Sequence, residues 1–408
     1  MSTTSVTETV KVPEIGRLTI SAEAYPGLDP EWISLWNDHG SSMVRADEVT
    51  IEEYRRDPAK YSFTYPTCPG MQSDTQRHFP ALLILIHCHL GPEVFQVKDE
   101  KVPVTRPTGE IGVRIYTPEG PGPFPVHLNF HGGELLWRFF FHHRPQLTKE
   151  GGWVLGSLKS EAAWCRHVCN KSKIKVIDVD YRMGPEFRFP TAIYDCWDTV
   201  KWLEGNGADI FQAIDNADTL GIDPKSVSFG GLSAGGQMSA VLAHFARDER
   251  INIKLHLMIV PATDMRYCSR KFKKLDSHNC AYESARKYAN LEWGPVGREQ
   301  WFLKYWLGDD DEGEQDRILN DWICTPMLAP NFKNLPPLHM ITAEFDLERD
   351  EGEVYAKKVQ EAGNSVTTKR YSGMPHAFGH YNHPKRGLSK SFEYIEDTSR
   401  ILRSVHYG

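Results

Sequence analysis

Short apolar, β-branched segments alternate with helical segments along most of this 408-residue chain. Such an alternation predicts a mainly parallel sheet that is covered by helices on both faces. The predicted strands are residues 113–116, 126–130, 175–180, 226–230, 255–260, 338–343 and 367–371, and the predicted helices are residues 195–203, 235–246, 351–361 and 391–403. We therefore expect one large α/β domain.

Two regions depart from this alternation, residues 1–60 and about 264–325. The second carries four tryptophans among charged residues, namely Trp293, Trp301, Trp306 and Trp322. Aromatic segments of this kind commonly form walls of apolar pockets, so we expect a cap over a binding site. The alternative is a set of surface helices that only thickens the domain.

Composition and charge exclude several classes of protein. The net charge of −7 offers no basic surface for nucleic acid. The longest apolar run, residues 79–90, is shorter than the ~20 residues that a membrane-spanning helix needs. The first residues lack the apolar segment of a secretory signal, and the eight cysteines include no CxxC pair. We expect a cytoplasmic protein with reduced thiols and no membrane span.

The predicted strand 226–230 leads directly into Gly231-Leu232-Ser233-Ala234-Gly235 and then into a helix. This is a GxSxG motif in the strand–turn–helix setting that exposes a serine hydroxyl on a tight turn. Serine becomes a nucleophile when such a turn brings it next to a base. We predict that Ser233 is a catalytic nucleophile. The alternative is a glycine-rich helix start that packs closely or binds an anion.

An acid and a histidine are expected after such a serine, in that order along the chain. Asp346 follows the predicted strand 338–343, and His376 follows the next strand. We predict that His376 accepts the proton of Ser233 and that Asp346 orients the imidazole. The alternatives nearby are Asp350 for the acid, and His380 and His383 for the base.

Acyl transfer also needs amide donors for a developing oxyanion. The predicted strand 126–130 ends in His131-Gly132-Gly133, whose backbone N–H groups are not shielded by side chains. The Ala234 N–H, directly after the nucleophile, is a further predicted donor. The alternative for the glycine pair is an ordinary turn without a ligand.

In these motifs the chain resembles the hormone-sensitive-lipase-like carboxylesterase branch of the α/β-hydrolase superfamily, over roughly residues 95–405. The family's YRLAPE followed by FP corresponds to residues 181–186 and 189–190, and its acid and histidine motifs correspond to Asp346 and His376. The resemblance implies an α/β-hydrolase fold with a helical cap. It implies an N-terminal cap segment, residues 1–94, and a hydrolase domain, residues 95–408, with a cap insertion at about 264–325.

Two segments interrupt the resemblance. The third glycine of the family's HGGG motif is missing after Gly133, but deletion of residues 134–151 joins Gly133 to Gly152 and restores HGGGWVLGS. Deletion of residues 71–91 likewise removes the apolar run. Both segments can be back-translated with intron-type donor and acceptor sites, so we interpret them as translated introns. The predicted oxyanion donors are then Gly132, Gly133, Gly152 and Ala234. The alternative is a pair of genuine surface insertions.

The predicted function is hydrolysis of small to medium apolar esters by a serine esterase, deacetylase or lactonase. The resemblance implies no metal and no cofactor, and the expected partner is a small-molecule ester. A biosynthetic tailoring role and a homodimer stay open. Two other functions also stay open, a ligand-binding pseudo-hydrolase and a lyase or acyltransferase on the same scaffold.

Overall fold

A central sheet of eight strands organises the protein in the computed structural model, which describes residues 18–41, 44–56, 61, 91–132, 152–204, 217–309 and 311–408. The strands are β1 (Gln96–Thr105), β2 (Thr108–Thr117), β3 (Phe124–Phe130), β4 (Lys175–Asp180), β5 (Ile222–Leu232), β6 (Ile253–Ile259), β7 (Leu338–Phe345) and β8 (Val366–Pro375). Their order across the sheet is β1-β2-β4-β3-β5-β6-β7-β8.

Strands β3 to β8 run parallel, whereas β1 and β2 form an antiparallel edge. The central strands are buried on both faces, as parallel strands between two helix layers must be. All seven residues of β3 are buried. The carboxyl ends of the parallel strands meet at one edge of the sheet, where ligands bind in open α/β sheets.

Ten helices are present in the described part of the chain. They are α1 (Pro30–His39), α2 (Ile51–Arg56), α3 (Ala162–Ser172), α4 (Thr191–Glu204), α5 (Ala234–Glu249), α6 (Glu283–Lys287), α7 (Val296–Leu307), α8 (Glu312–Leu319), α9 (Arg349–Glu361) and α10 (Ser389–Tyr407). Helix α1 begins at Pro30, because the Asp29 side chain accepts a hydrogen bond from the Glu31 N–H and proline suits the first turn of a helix.

The helices pack on the sheet in two groups. Helices α3 and α10 contact each other through a hydrogen bond of 3.1 Å from Trp164 Nε1 to Thr398 Oγ1. Helices α4 and α5 contact each other through the rings of Trp197 and Phe245, whose centroids are 5.5 Å apart. Helix α9 packs on the same side as α5, since the Tyr355 hydroxyl and His244 Nε2 are hydrogen bonded at 3.4 Å. The sheet is thus enclosed, which confirms the predicted α/β architecture.

The two regions outside the strand–helix alternation pack against each other, and we call them together the cap layer (residues 18–56 and 264–325). Trp301 Nε1 donates to the Val49 carbonyl at 2.7 Å, and the Ile51 N–H donates to the Tyr305 hydroxyl at 3.0 Å. The Trp36 and Trp293 rings meet edge to face at 6.0 Å. Hydrogen bonds thus join the α2 region to α7, and an aromatic contact joins α1 to the segment just before α7.

Strand β1 and helix α3 of the hydrolase domain are elements that the sequence pattern does not predict. In β1, four consecutive charged residues separate Val97 from Val102 and Val104, and most of the strand is exposed because it forms the edge of the sheet. The short cap helices α6 to α8 were expected only as a cap insertion. Residues 71–90 and 134–151 of the suspected introns lie outside the described residues.

None of the helices in the described ranges combines the length and apolarity that a bilayer crossing requires. Among these same residues, six cysteines are free and buried: Cys165, Cys169, Cys196, Cys268, Cys280 and Cys324.

Candidate active site

Ser233 lies on a strained turn between β5 and α5. Its φ of 56° and ψ of −114° belong to a region that non-glycine residues rarely adopt, and the turn is held by the Ser233 N–H, which donates to the Ile259 carbonyl at 2.8 Å. A Cβ on Gly235 would lie 1.8 Å from the Phe130 carbonyl oxygen. Only glycine therefore allows α5 to approach the end of β3 this closely, and the strain presents the Ser233 side chain at the carboxyl edge of the sheet.

Asp346 and His376 meet at the ends of β7 and β8. His376 Nδ1 and Asp346 Oδ2 are 2.8 Å apart, and Asp346 is buried while His376 is partly exposed. The Glu348 N–H donates to the other Asp346 oxygen at 3.0 Å, which fixes the carboxylate. Burial alone would lower the pKa of His376, but the Asp346 carboxylate and the nearby Glu299 raise it above its ordinary value.

A single pocket brings the predicted triad together. Its lining includes Ser233, Asp346, His376 and Gly152. Most of the remaining wall is apolar or aromatic and comes largely from the cap layer, with Trp32, Leu291, Trp293, Phe302, Phe345 and Tyr381. The predicted nucleophile, base and acid thus share one cavity beneath the cap layer.

One of the predicted oxyanion donors, Gly152, lines this pocket, and another, Ala234, directly follows Ser233 in the chain. Ala234 is the first residue of α5, where backbone N–H groups lack partners within the helix. Gly152 has a φ of 64°, and a Cβ there would lie 2.5 Å from the Phe302 ring. Gly133 lies outside the described residues.

The Gly132 amide is committed to another partner, which corrects its assignment as an oxyanion donor. Its N–H donates to Glu161 Oε1 at 2.8 Å. Glu161 is buried and also accepts from Asn129 Nδ2 at 3.0 Å. Because a buried amide bonded to a carboxylate is not free for a substrate oxygen, Gly132 anchors the loop instead.

The rival residues lie elsewhere. Asp350 accepts from the Ser284 N–H at 2.7 Å and from Arg349, so it supports α6 of the cap layer. His380 lies 3.7 Å from Glu161, behind the Gly132 loop. His383 accepts from the Lys385 N–H within its own turn at 3.2 Å. His376 is thus the histidine that the structure pairs with Asp346.

Three residues of the site were not singled out from the sequence. No sequence motif marks Glu161, because folding brings it to Gly132 from 29 residues further along the chain. Glu299 and Glu348 both line the pocket, and burial raises the pKa of each carboxyl, helped by neighbouring carboxylates. Glu348 follows Asp346 by two residues, so its proximity to the triad could have been read from the sequence.

Comparison with known proteins identifies the family. The family model for the alpha/beta hydrolase fold matches residues 149–380, more than half of the chain. The chain belongs to the α/β-hydrolase family. Its relatives place this α/β-hydrolase in the hormone-sensitive-lipase-like esterase branch, as the motifs predicted.

Two curated relatives and one solved structure illustrate this placement. An arylesterase of Saccharolobus solfataricus is 32% identical over 270 residues, which cover 66% of this α/β-hydrolase and 73% of the relative. The carboxylic ester hydrolase LipN of Mycobacterium tuberculosis is 31% identical over 294 residues, 71% of this chain and 66% of LipN. A hyperthermophilic esterase from Pyrobaculum calidifontis has a TM-score of 0.63 at 28% identity and covers 80% of this chain and 91% of its own. The predicted enzyme class, carboxylic ester hydrolase, is confirmed.

Proposed function

We propose that this enzyme hydrolyses carboxylic esters through a covalent acyl-enzyme on Ser233. The observation that carries the proposal is the hydrogen bond of 2.8 Å between His376 Nδ1 and Asp346 Oδ2, in a pocket that Ser233 also lines. With Nδ1 occupied by Asp346, the other imidazole nitrogen, Nε2, is the one that remains to serve as the base.

Each group has one role in the proposed reaction. Ser233 Oγ attacks the ester carbonyl while His376 Nε2 takes its proton. The tetrahedral oxyanion accepts hydrogen bonds from the Ala234 and Gly152 amides and, in the chain without residues 134–151, from the Gly133 amide as well. His376 then returns the proton to the departing alcohol, which leaves an acyl group on Ser233. Water attacks this acyl-enzyme with His376 again as the base. The bond between the acyl carbon and Ser233 Oγ then breaks, His376 returns the proton to Oγ, and the carboxylic acid departs.

The pocket walls support small to medium apolar esters as substrates. Aromatic side chains of the cap layer, such as Trp32, Trp293 and Phe302, line the space next to Ser233. One relative is a versiconal hemiacetal acetate esterase of Dothistroma septosporum, at 28% identity, and a tailoring role for this chain stays a proposal.

An ester panel tests this function. We expect the chain to hydrolyse p-nitrophenyl esters of short acyl chains, and the Ser233→Ala variant to lose about 10⁶-fold in kcat, as nucleophile removal does in other serine hydrolases. The pseudo-hydrolase alternative predicts no turnover by either protein. Product analysis separates hydrolysis from acyl transfer or elimination.

We further propose that residues 71–91 and 134–151 are translated introns. The family match begins at residue 149, next to the end of the second segment, and Gly152 lines the pocket as the third glycine of an HGGG loop would. Gly91 is the one described residue of either segment, and it packs against Ala163 of α3. Deletion of residues 71–91 still leaves a glycine directly before Pro92, because Gly70 then precedes Pro92 in place of Gly91. Sequencing of the mature transcript tests this proposal, and a message that encodes both segments would refute it.

A further inference from the structure

The region around His376 contains a second carboxyl group that the proposed mechanism does not use. Glu348 Oε2 lies 3.7 Å from His376 Nδ1, the same nitrogen that bonds Asp346. The Glu348 side chain is 1% exposed, and its Oε2 atom is buried without a hydrogen-bond partner in the described part of the structure. Buried carboxyl oxygens normally have partners, so this atom calls for an explanation.

The neighbouring backbone holds Glu348 in place. Glu348 precedes helix α9, and its N–H donates to Asp346 Oδ1 at 3.0 Å, which ties the two acids together. One side-chain ligand atom from each of Asp346, Glu348 and His376 lies within 4.8 Å of the other two. A movement of roughly 1 Å would bring Oε2 into hydrogen-bond range of Nδ1, since such bonds measure about 2.7–3.2 Å.

We propose that Glu348 is a positioning residue for His376, a second acid that can hold the same imidazole nitrogen when Asp346 is absent. This inference rests on the proposed role of His376 as the base. In the intact enzyme Asp346 accepts the hydrogen bond from His376 Nδ1–H, and Glu348 Oε2 lies near the same nitrogen without bonding it. Without the Asp346 side chain, the Nδ1–H proton is donated to Glu348 Oε2, and His376 keeps its orientation toward Ser233.

The charge state of Glu348 is consistent with this role. Burial, followed by the carboxylates of Glu299 and Asp346, raises the pKa of Glu348 well above its ordinary range. Two adjacent carboxyl groups cannot both ionise easily in a buried site. Removal of the Asp346 carboxylate takes away one of these repulsions, so Glu348 ionises more readily in the variant where it is needed.

A double-mutant cycle tests the proposal. The unaltered enzyme, Asp346→Ala, Glu348→Gln and Asp346→Ala/Glu348→Gln are compared for kcat and KM on one p-nitrophenyl ester. Asp346→Ala/Asp350→Asn is the matched control. Loss of the acid in a triad without a substitute costs about 10⁴-fold in kcat. We expect Asp346→Ala to lose 10²-fold or less, and the added Glu348→Gln change to lower kcat at least another tenfold with KM unchanged. The Asp350→Asn change should add no such loss.

A second pair of variants guards against misfolding. Asp346→Asn and Asp346→Asn/Glu348→Gln keep the side-chain volume of the unaltered enzyme. In addition, Asp346→Ala/Glu348→Asp should retain more activity than Asp346→Ala/Glu348→Gln, because it keeps a carboxylate at position 348. Equal kcat values for the Asp346 variants with and without Glu348 would overturn the inference. Failure of the proposed function gives a different result, because the unaltered enzyme would then lack activity that depends on Ser233.

Discussion

His376 is the residue on which the chemistry depends at the smallest scale. Its Nδ1 lies 2.8 Å from Asp346 Oδ2, which leaves Nε2 as the nitrogen available to Ser233. Two opposing effects set the pKa of its imidazole. Burial lowers the pKa, while Asp346, its hydrogen bond and Glu299 raise it above the ordinary value of about 6.5. A base must be unprotonated to accept the serine proton, so a raised pKa moves the onset of activity toward higher pH.

The pH profile of ester hydrolysis tests whether the pKa of His376 is raised. We expect kcat/KM to rise with pH, with the midpoint of its acid limb above 6.5, because the free enzyme is active only when His376 has lost its proton. The Glu299→Gln variant should move that midpoint to lower pH, since the Glu299 carboxylate contributes to the raised pKa. Glu314→Gln, an exposed carboxyl paired with Arg317, should leave the midpoint in place. A midpoint that is the same in all three proteins would argue against this electrostatic account.

The residues of the site differ in how well the sequence predicts them. Ser233, Asp346 and His376 follow predicted strands in the expected order, so parallel pairing brings them to one edge of the sheet. Glu161 could not be found in this way, because it bonds Gly132 from 29 residues further along the chain. The same contact removes Gly132 from the predicted oxyanion donors, and no motif encodes the direction of a backbone N–H.

The turn between β5 and α5 is the element that sets the geometry of the nucleophile. Gly231 and Gly235 both lie against the Phe130 carbonyl oxygen, at 2.1 Å and 1.8 Å from where a Cβ would stand. These distances are too short for any side chain, so the close approach of α5 to β3 depends on the two glycines. The two glycines of the GxSxG motif are thus required for the close packing of α5 on β3, and the serine is required for the predicted chemistry.

The Gly235→Ala variant tests this packing. The added methyl group must push α5 away from Phe130, and overpacking of this kind costs about 1–3 kcal/mol of unfolding free energy, with a loss of kcat as Ser233 moves. Gly352→Ala in helix α9 is the matched control, because its Cβ would have ordinary contacts of 3.5 Å or more. Denaturant unfolding and ester hydrolysis measure the two effects. Equal stability of both variants would contradict the account.

Elements at the sheet edges and in the cap layer are harder to predict than those at the centre. The central strands read as apolar runs because both of their faces are buried. Strand β1 pairs on one side only and is interrupted by charged residues, so its pattern is weak. In the cap layer, aromatic contacts such as Trp36–Trp293 link segments far apart in the chain, which a local sequence pattern does not encode.

The whole molecule is an α/β-hydrolase in which residues 134–151 separate Gly133 from Gly152 along the chain. Gly152 reaches the pocket of Ser233, whereas Gly132 is bonded to Glu161. In our proposal the working oxyanion loop joins Gly133 directly to Gly152. The 369-residue chain without the two segments is then the active enzyme.

Deletion variants test this at the scale of the whole chain. Loss of one oxyanion donor costs about 10²–10³ in rate, so the 408-residue chain should be a weak esterase and removal of residues 134–151 should restore activity by that order. Removal of residues 71–91 alone serves as the control, because it leaves the oxyanion loop unchanged. Equal activity with and without residues 134–151 would contradict the proposal.

The covalent intermediate on Ser233 gives the most direct test of the central claim. The 369-residue chain is treated with a fluorophosphonate probe, digested and analysed by mass spectrometry, with the Ser233→Ala variant alongside. We predict one label, on the peptide that contains Ser233, and none in the variant. A label on another residue, or an active enzyme that takes up no label, would contradict the account.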